Sequence, residues 1–244
     1  MSNPIMNFNE KRAEQEIVVD SNSIMSINGT IHILAILGLM VLFSGWFVFN
    51  KFLLGYTDIA YMLTSVGAIA GFITALIICF ARTTFLIPVY AVLEGFFVGG
   101  ISAIFESSYP GIVVQAVAGT FASLFSMLLL YKAGIIKCSD KFRSVIFIST
   151  ASIAVLYLVN FIGHFFNLSI PFISSSSNFG ILFSVIVVII ASLNFIIDFD
   201  FIETGVQRMF PKKYEWFGAF GLLVTIVWLY VEILRLLAKL NSRD

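Results

Sequence analysis

The sequence predicts an all-α, polytopic integral membrane protein of seven transmembrane helices, and three observations carry that prediction. Of 244 residues, 59% are apolar and only 11% are charged, with a mean hydropathy of +1.01, whereas a soluble domain carries about 25% charged residues on its surface. Seven stretches reach the roughly 20 mostly apolar residues that a helix needs to cross about 30 Å of hydrocarbon. Their apolar runs are uninterrupted rather than alternating with period two, which excludes a transmembrane β-barrel.

Taken in order, residues 1–30 hold Glu10, Lys11, Arg12, Glu14, Glu16 and Asp20 without an apolar run. They predict a polar cytoplasmic tail, not a cleaved signal peptide, ahead of a transmembrane domain over 31–240. The spans run from Ile31 to Phe49, Ala60 to Phe80, Phe85 to Phe105, Ile112 to Tyr131, Val145 to Phe166, Phe179 to Ile197 and Trp216 to Leu237. A turn or charge cluster follows each of the first six: Lys51 with Asp58, Arg82-Thr83-Thr84, Tyr109-Pro110-Gly111, Lys137 to Arg143, Pro171 to Asn178, and Pro211-Lys212-Lys213. What remains is short loops, with no room for a soluble catalytic domain.

The same arithmetic excludes several functions. Fourteen basic and fourteen acidic residues give a formal net charge of zero, and no basic stripe exists to neutralise nucleic-acid phosphates. Cys79 and Cys138 lie far apart and fit no metal or disulfide pattern. No nucleophile with its base, HExxH or P-loop occurs, so the chain is expected to be neither an enzyme nor the holder of a cofactor.

Orientation follows from Lys and Arg in the short loops. With the N-terminus inside, the inner segments carry ten basic residues: Lys11, Arg12, Arg82, Lys132, Lys137, Lys141, Arg143, Arg208, Lys212 and Lys213. The outer segments carry four, Lys51, Arg235, Lys239 and Arg243. The expected topology in the inner (plasma) membrane is therefore N-terminus cytoplasmic and C-terminus outside, with the three basic residues near the C-terminus as the feature that argues against it.

An ionisable side chain at the centre of a span costs about 2.5–3.5 kcal/mol on insertion scales, so each intramembrane acid is a functional candidate. Glu94 lies mid-way along the third span, Asp198 and Asp200 toward the inner end of the sixth, and Glu232 well inside the seventh. A two-residue step turns a helix by about 200°, so Asp198 and Asp200 cannot face the same way. Asn194, one turn before Asp198, makes Asp198 the candidate for the polar interior.

On the seventh span Trp228, Glu232, Arg235 and Lys239 form one stripe. Glu232 therefore has two readings: neutralised by Arg235 within its own helix, or a buried carboxylate that meets Asp198. Counted from Pro211, the two acids are offset by about 12 Å along their helices, which only a tilt, bend or displacement would close. Carboxyls brought together in low dielectric do not both ionise cheaply, so such a pair senses pH. It also suits calcium, which takes carboxylate and carbonyl oxygens. Asp198 and Glu232 are accordingly the candidate metal ligands. Arg82, at the inner boundary of spans two and three, is either a latch on Asp198 or Asp200 or an ordinary positive-inside anchor. Gly67-xxx-Gly71 and Gly95-xxx-Gly99 are weak helix-packing motifs, and Asn160 and His164 share a face of the fifth span.

Three acidic stretches carry a family resemblance: Ala91-Val92-Leu93-Glu94-Gly95-Phe96-Phe97-Val98-Gly99-Gly100, running on into Tyr109-Pro110-Gly111-Ile112; Asp198-Phe199-Asp200-Phe201-Ile202; and Leu229-Tyr230-Val231-Glu232-Ile233-Leu234. Over about residues 30 to 240 the chain resembles the Bax inhibitor family (TMBIM), in particular its bacterial YccA-like branch. That resemblance implies seven helices with the last one central, and a pH-sensitive calcium leak, or proton-coupled calcium transport. It further implies gating by an acidic dyad carried over as Asp198 and Glu232, with Arg82 as latch partner. Glu232 departs from the more usual aspartate, which keeps the charge and lengthens the reach. The resemblance also implies a rival role, a non-conducting regulator that binds a membrane-bound protease or other membrane complexes, with the 1–30 tail as its handle.

Overall fold

The computed structural model describes residues 24–165 and 175–242, with the side chains of His164 and Phe165 outside that description. Among the described residues there are seven helices: α1 (Ile27–Leu53), α2 (Thr57–Ala81), α3 (Ile87–Ser108), α4 (Ile112–Lys132), α5 (Asp140–Phe165), α6 (Asn178–Gln207) and α7 (Tyr214–Asn241). All seven are long and apolar enough to cross a membrane, and α7 is the most enclosed. Apart from one isolated bridge, Ile24 to Pro211, no β structure occurs among them. The seven-helix prediction holds, and most helices outrun their apolar stretches because hydropathy marks the hydrocarbon depth and not the helix end; α3 instead starts two residues late, at Ile87. The part of the tail before residue 24, residue 166 at the end of the fifth stretch, and the first half of the turn from Pro171 to Asn178 lie outside the described residues.

The helix ends follow local chemistry. Ser26 caps α1 by accepting the Gly29 N–H at 2.9 Å, and Ser177 does the same for α6, accepting the Gly180 N–H at 3.2 Å. Gly111 starts α4 at φ +85°, a conformation that costs a residue with a side chain. Arg82 closes α2 in the left-handed region at φ 54°, where any residue but glycine is strained.

The chain divides into two compact units. One holds, of the described residues, 24–110 and Phe201–Val224, thus α1 to α3, the end of α6 and the start of α7. Its core is Leu37, Val41, Ile78, Ile87, Tyr90, Ala91, Ala219, Phe220 and Leu223, with Tyr90 set edge-on to Phe220 at 5.0 Å. Both glycine motifs are contact points here. A Cβ at Gly99 would run into the Gly45 backbone of α1, one at Gly95 into Ser44, and one at Gly67 would stand 2.5 Å from the Leu93 carbonyl of α3. Backbones packed this closely gain dispersion contact that lipid tails do not supply.

Ahead of α1, the chain is strapped to the α6–α7 turn of the same unit. The Met25 N–H donates to the Phe210 carbonyl at 2.7 Å, and the Ser26 N–H and hydroxyl both donate to Glu215 Oε1 at 2.9 Å. Met25 is buried against Gly205 and Gly218, where any Cβ would crowd it. The second unit holds Gly111–Asp200 and 225–242, thus α4, α5, most of α6 and the remainder of α7.

Candidate functional site

Within the second unit, α5, α6 and α7 carry polar side chains that bond one another in an otherwise apolar surround. Asp198, partly buried on α6, accepts the Thr225 hydroxyl of α7 at 2.6 Å. Asp200 ion-pairs with Arg143, the first-turn arginine of α5, whose side chain is only 9% exposed. The Tyr131 hydroxyl stands 3.5 Å from the other Asp200 oxygen, a long contact. The aspartates diverge as their two-residue spacing requires, one to α7 and the other to α5. Asn194 donates to the Thr150 hydroxyl of α5 at 3.0 Å.

Glu232 is 1% exposed, and both of its oxygens are engaged. Oε2 accepts the Tyr157 hydroxyl of α5 at 2.9 Å. Oε1 accepts Trp228 Nε1 at 3.2 Å and Arg235 Nη1 at 3.4 Å, each from within α7. The Arg235 guanidinium also lies over the Tyr157 ring, 5.0 Å from its centroid, an arrangement that adds cation–π attraction. The Arg235 side chain is 40% exposed whereas Glu232 is buried, so it is the loss of Arg235 that would leave a buried charge uncompensated.

The intrahelical partner is present: Arg235 meets Glu232 at the i, i+3 spacing. Asp198 is bonded to Thr225, which lies seven residues before Glu232 on α7, or about 10.5 Å along the axis. The two acids thus have separate partner sets at separate depths, close to the offset expected from the sequence. Among the described residues no group of three or more His, Cys, Asp and Glu stands together to hold a metal.

The remaining candidates lie in the first unit. Glu94 is partly buried on α3, with Tyr90 one turn earlier in contact with its carboxyl. A Cβ at Gly71 of α2 would be 3.5 Å from Glu94 Oε2, so that glycine leaves room for the acid. Arg82 closes α2 in the first unit, and within the second unit Asp200 pairs with Arg143. The side chain of His164 is outside the described residues.

Sequence reasoning missed Thr150, Tyr157 and Thr225, because threonine and tyrosine are ordinary in apolar spans, and it took Arg143 for a loop anchor. The available signal was the seven-residue register of Arg143, Thr150 and Tyr157 on α5. Outside the spans, burial and then the Asp200 carboxylate push the Cys138 thiol up to about 11, against an opposing pull from Arg143.

Seven membrane-length helices with carboxylates bonded inside them define a multi-pass membrane protein with an acidic intramembrane site. A family model described as Bax inhibitor 1 like matches residues 3–242, nearly the whole chain, and the chain belongs to that family. No curated protein matches it.

Proposed function

We propose that this Bax inhibitor-like protein passes a cation, calcium or protons coupled to calcium, across the inner (plasma) membrane in a pH-sensitive manner, with Asp198 as the carboxylate that takes the ion. The observation that carries the reading is the contrast among the three acids that lie along the spans of the second unit. Asp200 has Arg143 and Glu232 has Arg235, whereas among the described residues of that unit Asp198 is met by a hydroxyl. An intramembrane carboxylate without a fixed counter-charge exchanges a proton or a cation most readily. In this reading Glu232 acts as the anchored member of the acidic pair on α6 and α7. Arg82 is kept as the latch partner that the family resemblance implies, and Arg143 holds Asp200 beside the pair.

A second reading, a non-conducting regulator of a membrane protease, has one observation in its favour: the tail is tied by Met25 and Ser26 to the α6–α7 turn, so a partner holding the tail would also hold that hairpin. Flux into proteoliposomes separates the two. The leak reading predicts calcium or proton entry that changes between about pH 5 and 8 and survives deletion of residues 1–23. Liposomes as tight as protein-free controls at every pH would reject it.

A further inference from the structure

The polar residues of α5 have a regularity that the acids do not explain. Arg143, Thr150 and Tyr157 are seven residues apart, which keeps them within about 20° of one face of a helix. Each is bonded to a different polar residue on a neighbouring helix: Arg143 to Asp200 of α6, Thr150 to Asn194 of α6, and Tyr157 to Glu232 of α7. From Arg143 to Tyr157 is fourteen residues, about 21 Å of rise, or some two-thirds of the hydrocarbon thickness. Val145, Ile148, Val155, Leu158 and Ile162 of α5 are all exposed.

We propose that this α5 stripe is the fixed polar wall of the ion path in the second unit, and that Thr150 and Tyr157 are positioning residues that aim Asn194 and Glu232. The inference rests on the leak reading for the path, but not for the aiming. The wall supplies no mobile charge of its own, since Arg143 is held by Asp200. It offers hydroxyls at intervals of about 10.5 Å, and these orient the groups on α6 and α7 that meet the ion. The titratable and polar groups of this unit fall into separate sets: Asp198 with Thr225 of α7; Asp200 with Arg143 of α5, Tyr131 at the end of α4 and Cys138 in the α4–α5 loop; Asn194 with Thr150; and Glu232 with Tyr157, Trp228 and Arg235, two turns beyond Thr225 along α7. Two of these groups, Asn194 and Glu232, take their orientation from the stripe.

The test uses the full chain in proteoliposomes, with Trp46→Phe and Trp216→Phe so that Trp228, bonded to Glu232 at 3.2 Å, is the sole indole. Tyr157→Phe keeps the ring beneath Arg235 and deletes only the hydroxyl. It is expected to shift the emission maximum of Trp228 and to lower calcium flux several-fold. Thr150→Val is expected to lower flux by a similar factor, and Thr150→Ser to restore it. An emission maximum unmoved by Tyr157→Phe overturns the wall, whatever the flux does. A shifted maximum in a protein whose unsubstituted form carries no ion upholds the positioning role and rejects the leak reading instead.

Discussion

At the residue scale, each acid of the second unit is defined by what answers its charge. Asp200 and Glu232 are tied to guanidiniums, an arrangement that gives little net stability but penalises loss of either partner. The same neighbourhood sets the chemistry of Cys138. Thiolate is the reactive form, and a thiol raised to about 11 stays protonated at neutral pH. In a Cys79→Ser background, maleimide labelling of Cys138 at neutral pH is expected to be roughly a hundredfold slower than that of an ordinary exposed cysteine, and to accelerate as pH rises toward 11. Labelling at the ordinary rate would show that the thiol is neither buried nor under the influence of Asp200. The sequence made the acids legible by their cost in hydrocarbon, but not their partners. A threonine or tyrosine in a span is inexpensive, and nothing in its type says which neighbour it faces.

At the element scale, helices were readable and their couplings only partly so. Apolar length locates a span, and Gly95-xxx-Gly99 marked a close approach without saying to what; the answer is Gly45 and Ser44 of α1. Gly99→Val drives a side chain into the Gly45 backbone, so it is expected to lower stability by about 1–3 kcal/mol or more. Gly38→Val on the same pair of helices should be near neutral, because a Cβ there meets nothing within 4 Å. Equal thermal midpoints for both variants in detergent would contradict this packing. The strap at Met25 and Ser26 was invisible in the sequence, since a segment so short has no periodicity and its socket is made by Gly205, Gly218 and Glu215, almost two hundred residues away. The offset between Asp198 and Glu232, by contrast, followed from rise per residue alone, and the partner sets agree with it.

At the scale of the whole molecule, seven spans are expected to place the two termini on opposite sides of the membrane, with the excess of basic residues in alternate loops as the reason for expecting the N-terminus inside. Cysteines introduced near Lys141 are expected to label only from the cytoplasm and those near Ser175 only from outside; labelling of both from one side would break the seven-span topology. Function at this scale depends on whether one carboxylate controls conduction. The most direct measurement is calcium flux into proteoliposomes between about pH 5 and 8 for the unsubstituted protein, Asp198→Asn and Arg235→Ala. Asp198→Asn should flatten the pH profile, since it removes the carboxylate with no fixed counter-charge in its unit, whereas Arg235→Ala should change the size of the flux and keep its pH dependence. An unchanged profile for Asp198→Asn beside a flattened one for Arg235→Ala would contradict the account and move control to Glu232.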